Sequence, residues 1–381
     1  MYLISITILF FLIYACLIIY YRKSWLQIKT PDDLKGKNSR DVYTSVSVII
    51  SARNEEENIG KCLDSIVSQT YPDQLFETIV VDDFSTDDTA KIISSYHEKK
   101  VSLISLRDFI GEQRINSYKK KAIEIGISKA KGELIVITDA DCIVPLNWLK
   151  TIAIFYEVNN PVFIAAPVAF YGEDNFLKIF QSLDFMTLQG ITGASVYKNF
   201  HNMCNGANLA YPKKVFYEVD GFKGIDNIAS GDDMLLMHKI HNKYPGRVMF
   251  LKSTNAIVKT KPMDTMMDFL NQRIRWASKA DKYPDKKIST VLIIVYLFNV
   301  YVLMLGISAL FNHPVFYLFA ALLFAKTITE LSFLYPVANF FNKEKMLWWF
   351  PVAQPFHILY TIVAGWLGKF GSYKWKERMV K

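Results

Sequence analysis

The chain has 381 residues, of which 51% are hydrophobic, 14% aromatic and 21% charged, with a net charge of +8. Such a chain can bury a large core as one sizeable domain with accessory segments or as two domains. Its basic balance comes without a zinc knuckle, a helix-turn-helix signature or an Arg-rich tract, so a membrane accounts for the charge better than nucleic acid does. Cys16, Cys62, Cys142 and Cys204 show neither metal-pair spacing nor a disulfide framework.

Residues 1–21 carry no charge and are almost wholly apolar, enough to span a bilayer as a helix. Arg22 and Lys23 follow at once. No positive charge precedes the run and no cleavage site ends it, so it reads as a retained anchor rather than a signal peptide. The positive-inside rule then puts everything after Arg22 in the cytoplasm. Residues 22–45, polar and containing Pro31 and Gly36, read as a linker.

From Val46 the pattern becomes that of an α/β domain. Val46–Ser51, Thr78–Val81, Val101–Ser105 and Leu134–Thr138 are short β-branched runs that predict buried strands. Glu55–Gln69, Asp87–Tyr96 and Ser117–Ala130 predict the helices between them. This alternation predicts a mostly parallel, doubly wound sheet, filling residues 46–285. Ser182–Val196 has apolar residues at near-helical spacing and reads as a core helix or as an interface helix that delivers a lipid-linked acceptor. Residues 286–368 hold three further apolar stretches, Ile288–Phe311, Val315–Phe340 and Leu347–Leu367. Lys279, Lys282, Lys286 and Lys287 precede the first. Lys326 and Glu330 are placed to pair on one face of the second. The third, with Pro351 and Pro355, reads as re-entrant or interfacial, because three full crossings would put the basic tail of residues 369–381 outside. One leading and two to three trailing membrane helices are therefore expected.

In open α/β sheets ligands sit beyond the carboxyl ends of the strands, and two predicted strands run into acids there. Asp139-Ala140-Asp141 offers two carboxylates to one hard divalent cation, or is an acidic turn. Asp82-Asp83 can accept from a nucleobase or ribose, while Asp87 and Asp88 serve the following helix start. Ser230-Gly231-Asp232-Asp233 opens another helical run, as a general base or as an N-cap. Lys119-Lys120-Lys121 reads as a solvated basic face or as an attractor for a diphosphate. Gln272-Arg273-Ile274-Arg275-Trp276 puts Gln272, Arg275 and Trp276 on nearly one helical face, for phosphate binding or for lying on a membrane. No G-x-G-x-x-G follows the first strand, which excludes a dinucleotide-binding dehydrogenase.

In this order, and together with Val46–Glu56 and Asn205-Gly206-Ala207-Asn208-Leu209-Ala210, these motifs resemble the family-2 inverting glycosyltransferases of GT-A fold, membrane-bound type, over about residues 46–280. The resemblance implies transfer of a sugar from a nucleotide diphosphate sugar, by family expectation a UDP-sugar, to a lipid-linked or saccharide acceptor in glycolipid or cell-surface polysaccharide synthesis. The expected place is a bacterial inner (plasma) membrane. The resemblance assigns Ala52, Arg53, Glu55, Asp82, Asp83, Asp139, Gln272, Arg275 and Trp276 to the donor, Asp83 being preferred for the nucleobase, and Lys119 of the basic run is expected beside them. Asp139 and Asp141 would hold Mg²⁺ or Mn²⁺. Asn205, Gly206 and Trp276 would face the acceptor. Asp232-Asp233 stands where the family has Glu-Asp, making Asp233 the expected base with Asp232 beside it. A processive polysaccharide synthase and a catalytically silent nucleotide-binding membrane scaffold are the rival readings.

Overall fold

The computed structural model describes residues 2–30, 43–111, 113–279 and 285–370, and the backbone of 373–375 and 378–380. Most of the expected linker, Lys282 and most of the basic tail lie outside the described residues. In chain order the elements are α1 (Tyr2–Gln27), β1 (Val46–Ala52), α2 (Ile59–Val67), β2 (Phe76–Asp82), α3 (Thr89–Ser94), β3 (Val101–Ser105), α4 (Arg107–Ile110), α5 (Tyr118–Lys129), β4 (Leu134–Asp139), α6 (Trp148–Asn159), β5 (Phe163–Ala165) and β6 (Val168–Phe170). There follow α7 (Phe176–Tyr197), β7 (Leu209–Pro212), α8 (Lys213–Glu218), α9 (Met234–Lys243), β8 (Val248–Phe250), β9 (Val258–Thr260), α10 (Met266–Ala277), α11 (Lys286–Ala309), α12 (His313–Phe340) and α13 (Phe350–Phe370). A hairpin of β10 (Tyr373–Trp375) and β11 (Arg378–Val380) closes the chain.

The chain divides into two compact units: an α/β unit of residues 28–171 and 202–261, and a helical unit of residues 1–27, 172–201 and 262–381. In the α/β unit a seven-stranded sheet runs β3-β2-β1-β4-β7-β5-β8. β3, β2, β1 and β4 are mutually parallel, β7 is antiparallel to both its neighbours, and β5 pairs parallel with β8. β6 and β9 form a separate parallel pair. The four expected strands are thus present in a mostly parallel sheet. β1, β2 and β4 are buried along nearly their whole length, which is why they read as continuous apolar runs rather than alternating ones. α5 lies close on this sheet: a Cβ at Gly126 would come within 2.7 Å of the Ile49 side chain, so only glycine fits there.

Helices α2 and α3 start later than the periodicity predicts. The residues ahead of them are taken up in the strand-end loops described below, whose side chains bond each other's backbone.

In the helical unit, three helices among the described residues are long and apolar enough to cross a membrane: α1, α11 and α12. Their outer faces carry large exposed apolar side chains such as Leu9, Ile293 and Phe324. Tyr14 on α1 stacks on Phe298 of α11 with ring centroids 4.2 Å apart. Lys326 and Glu330 pair at 2.7 Å on α12, and Gln354 of α13 accepts from Lys326 at 2.6 Å. α13 is one continuous helix through Pro355, entered by a 3₁₀ turn over Glu344–Trp349. α7 and α10 also belong to this unit, and α7 packs so closely on α12 that a Cβ at Gly190 would reach Val337 at 2.6 Å.

Candidate active site

The parallel register aligns the carboxyl ends of three central strands: Ala52 pairs with Asp82, and Ser51 with Asp139. The backbone continues the alignment, since Asp83 N donates to Ala52 O at 2.7 Å. Two loops leave this edge and are sewn together. Arg53 Nη1 donates to the carbonyls of Asp83 (2.9 Å) and Phe84 (3.2 Å), Thr86 N to Asn54 Oδ1 (2.9 Å), and Glu55 N to Thr89 Oγ1 (2.8 Å). Glu56 N donates to Asp87 Oδ2 at 3.1 Å, and Asp88 N returns a bond to Glu56 Oε2 at 2.9 Å. Asn54 and Phe84 each sit at positive φ, 50° and 54°. Asparagine tolerates that region; phenylalanine does so at a cost of about 1–3 kcal/mol, which the surrounding bonds offset. Glu55 serves this frame through its amide and by accepting from Asn58 Nδ2 at 3.0 Å. Hydrogen bonds from Thr89 and Glu56 outweigh the burial of Asp87 and hold its carboxyl below the ordinary range, as suits a loop anchor.

Asp82 is the acid this frame leaves with capacity. Its Oδ2 accepts weakly from Ser85 N (3.3 Å), whereas Oδ1 is buried with no hydrogen-bond partner among the described residues. An unsatisfied buried acceptor costs about 1–3 kcal/mol, and a ligand donor would remove that cost. Beside it Phe84 is flanked by Tyr118 edge-on (5.9 Å) and by the Arg107 guanidinium (5.3 Å).

One acid from the other strand end, Asp139, and one from the α9 start, Asp232, converge on one lysine. Lys119 Nζ lies 2.7 Å from Asp139 Oδ1 and 3.3 Å from Asp232 Oδ2. Burial opposes the Lys119 charge, but Asp139 and then Asp232 outweigh it and hold the ammonium above its ordinary range. Asp233 is both the N-cap of α9, accepting from Met234 N at 2.7 Å, and the acceptor for Gly206 N at 3.0 Å. The capping reading of this residue is thus met, and its second oxygen is tied to the loop at Gly206. Asn205 shapes the same loop, its Oδ1 accepting from Ala207 N at 2.9 Å.

Asp141 is held from another side, its Oδ2 accepting from Thr260 Oγ1 at 3.1 Å and its Oδ1 from Cys142 Sγ at 3.6 Å. Burial, then the charges of Asp141 and Asp139, push the thiols of Cys62 and Cys142 up, so both remain protonated near neutral pH. The donor set on offer is hard carboxylate oxygen. No group of three or more His, Cys, Asp or Glu forms a metal cage among the described residues. Mg²⁺ and Mn²⁺ take one or two carboxylates with phosphate oxygens completing the shell, and the hard oxygens of Asp139 and Asp141 suit such an ion.

Two residues of the quoted motifs take structural tasks that the sequence did not assign them, and Lys120 is neither on a solvated face nor open to a diphosphate. Lys120 is fully buried, its ammonium donating to the carbonyls of Ile225 (2.7 Å), Ile228 (2.6 Å) and Ser230 (3.0 Å), the segment leading into Asp232. Asn208 is fully buried and ties Trp148 Nε1 (3.0 Å), Pro167 O and Ala256 O (2.7 Å each) together. In the helical unit, Gln272, Arg275 and Trp276 lie on α10, but the buried arginine there is Arg273. It pairs with Asp184 of α7 at 2.7 and 2.9 Å, lies 4.2 Å from the Trp276 ring, and donates to Gln272 Oε1 at 2.6 Å. Tyr360 and His357 of α13 also approach Asp184. Asp184, the one acidic residue of α7, was the available signal for that cluster.

A mostly parallel sheet of this order with acids at its carboxyl edge is an open α/β fold whose ligands bind beyond that edge. The description "Glycosyl transferase family 2" matches residues 47–220, and "Glycosyl transferase family group 2" matches residues 134–367, more than half of the chain. The chain belongs to the family-2 glycosyltransferases. It is 37% identical over 105 residues to glycosyltransferase AglE of Haloferax volcanii, covering 28% of this chain and 33% of that protein. It is 29% identical over 140 residues to the beta-monoglucosyldiacylglycerol synthase of Synechocystis sp., covering 37% of this chain and 28% of the synthase. The match to the probable glycosyltransferase YdaM of Bacillus subtilis is 26% identical over 256 residues, 64% of this chain and 57% of YdaM. The chain thus spans a third or less of AglE and of the synthase. Among solved structures, the mannosyltransferase PcManGT of Pyrobaculum calidifontis, in complex with GDP-Man and Mn²⁺, superposes with a TM-score of 0.56 at 18% identity, covering 96% of this chain and 98% of that one. That likeness concerns the fold.

Proposed function

We propose that this enzyme moves a sugar, with inversion, from a nucleoside diphosphate sugar, in the first instance a UDP-sugar, to a lipid-linked or glycolipid acceptor at the membrane. The observation that carries the reading is the convergence of Asp139, Asp232 and Lys119 beside the Gly206–Asp233 contact. The three membrane-length helices support a membrane acceptor, as do the names of two relatives, the beta-monoglucosyldiacylglycerol synthase and a Methanococcus voltae glucuronosyltransferase named for a dolichyl-linked sugar phosphate. Arg22 and Lys23 favour a cytoplasmic catalytic unit, and an inner (plasma) membrane of a bacterium is the proposed location.

Asp233 takes the acceptor hydroxyl proton. An ionised carboxylate has about four lone-pair sites; Met234 N and Gly206 N use two and fix its orientation. The freed acceptor oxygen forms its bond to the anomeric carbon as the bond from that carbon to the diphosphate oxygen breaks, and the nucleoside diphosphate leaves with the electron pair. Attack opposite the leaving group gives inversion through an oxocarbenium-like transition state. Asp139 and Asp141 would hold the divalent cation, whose chemistry is to neutralise charge growing on the leaving diphosphate. Asp82, with its unpartnered buried oxygen, and Asp83 receive the nucleoside.

Nucleotide release from a panel of UDP- and GDP-sugars, with the purified full-length chain, Mn²⁺ or Mg²⁺ and a membrane lipid extract, tests this. We expect metal-dependent release from one donor, a product one sugar longer, and a loss of roughly 10²–10⁴-fold in Asp233→Asn with donor binding retained. Full turnover by Asp233→Asn sinks the assignment of the base. Donor binding without release from any sugar would favour the silent scaffold.

A further inference from the structure

We propose that Lys119 is a partner-exchanging counter-ion: its ammonium holds Asp139 until a nucleoside diphosphate arrives, then passes from that carboxylate to the diphosphate, so that cation and nucleotide bind cooperatively. This rests on the reading of Asp139 and Asp141 as cation ligands.

Lys119 touches two carboxylates that belong to different tasks, Asp139 of the cation pair and Asp232 beside the base. The two differ in burial: the Asp139 side chain is 35% exposed and that of Asp232 11%. Asp232 is therefore the pivot, and Asp139, the partner open to solvent, is the one given up. A lysine ammonium on a flexible stem has three donors and no fixed fork, so it can change one acceptor while keeping another. Gly206 adjoins both groups: a Cβ there would stand in ordinary contact, 3.5 Å from Lys119 Nζ and from Asp232 Oδ2.

The consequence follows from charge. At 2.7 Å from Nζ, Asp139 Oδ1 cannot serve an ammonium and a dication without like charges meeting. A cation arriving alone must displace Lys119 with no anion to receive it. Arriving with a diphosphate, it leaves Lys119 a new partner of the same sign as the one lost. Nucleotide should then tighten cation binding through Lys119, and by linkage cation should tighten nucleotide by the same factor.

The test is Mn²⁺ affinity of the full-length protein in detergent, read from the free-ion paramagnetic resonance signal, without nucleotide and with saturating UDP or GDP. In the wild type, nucleotide should tighten Mn²⁺ at least about 10-fold. In Lys119→Met, Mn²⁺ alone should bind about 10-fold tighter than in the wild type, and the gain from nucleotide should shrink by a similar factor. Lys119→Arg, which keeps the charge, should retain most of the coupling. If Lys119→Met tightens Mn²⁺ equally with and without nucleotide, Lys119 is a bystander charge and the exchange is overturned. A wild type that shows no coupling overturns it as well, whatever the variants do. If the exchange fails while Asp141→Asn still abolishes Mn²⁺ binding, the cation assignment stands. If the wild type binds no Mn²⁺ with either nucleotide, both fall.

Discussion

Lys119, Lys120 and Lys121 are consecutive and chemically alike, yet the fold gives them three separate tasks. Lys119 joins two carboxylates, Lys120 is buried beneath the segment before Asp232, and Lys121 makes a half-exposed pair with Glu124 at 2.7 Å. Composition gives no way to rank them, because which residue of a helical first turn faces inward depends on where the sheet lies. Lys120 has three carbonyl acceptors at 2.6–3.0 Å. Replacing it by methionine keeps the stem's packing and removes the charge-assisted bonds, at a cost of about 3 kcal/mol. The expected result for Lys120→Met is a melting temperature several degrees lower, together with a fall in kcat at nearly unchanged donor affinity, since the freed segment leads into Asp232 and Asp233. A drop in donor affinity with kcat intact would contradict that positioning role.

At the scale of elements, the strands were the legible part. Continuous β-branched runs such as Val46-Ser47-Val48-Ile49-Ile50 announce fully buried strands, and acids directly after them announce the binding edge. β5, β6, β8 and β9 were not legible, because three residues each give periodicity nothing to act on. The starts of α2 and α3 were misjudged because Glu55, Glu56 and Asp87 bond across two loops instead of entering helices, a tertiary demand that local propensity does not carry. In α10 the spacing of Gln272, Arg275 and Trp276 was visible, but Arg273 was not weighed, since its partner Asp184 lies on α7, far away in sequence. Both side chains of that pair are 4% exposed. Asp184→Ala should therefore leave a buried guanidinium uncompensated and cost about 3–5 kcal/mol. Arg275, half-buried on α10, is a proposed donor contact, so Arg275→Ala should destabilise less than Asp184→Ala and lose sugar transfer. Thermal unfolding in detergent alongside nucleotide release separates the two. An Arg275→Ala protein with full turnover would shift the role away from that residue.

For the molecule as a whole, the question is what fixes the membrane helices when lipid offers no hydrophobic drive to bring them together. The apolar stretches were plain in the sequence, and the Lys326–Glu330 pairing followed from a spacing of four residues. What spacing could not show is that the pair recruits two other helices: Tyr14 of α1 and Gln354 of α13 both hydrogen-bond to Glu330, and Lys326 also donates to Gln354. The Lys326 side chain is fully buried and that of Glu330 is 11% exposed. Ionisable groups inside a membrane span are costly unless paired, so the network is strongly asymmetric to mutation. Lys326→Met alone strands Glu330 among neutral partners and should destabilise by roughly 3 kcal/mol or more. Adding Glu330→Gln removes the orphaned charge while keeping an acceptor for Tyr14 and a partner for Gln354, so the double variant should recover most of the lost melting temperature. Recovery of stability together with wild-type transfer would identify the network as a structural tie between α1, α12 and α13. Recovery of stability with transfer still lost would mean that the charges themselves serve the reaction, and a double variant less stable than the single one would refute the pairing.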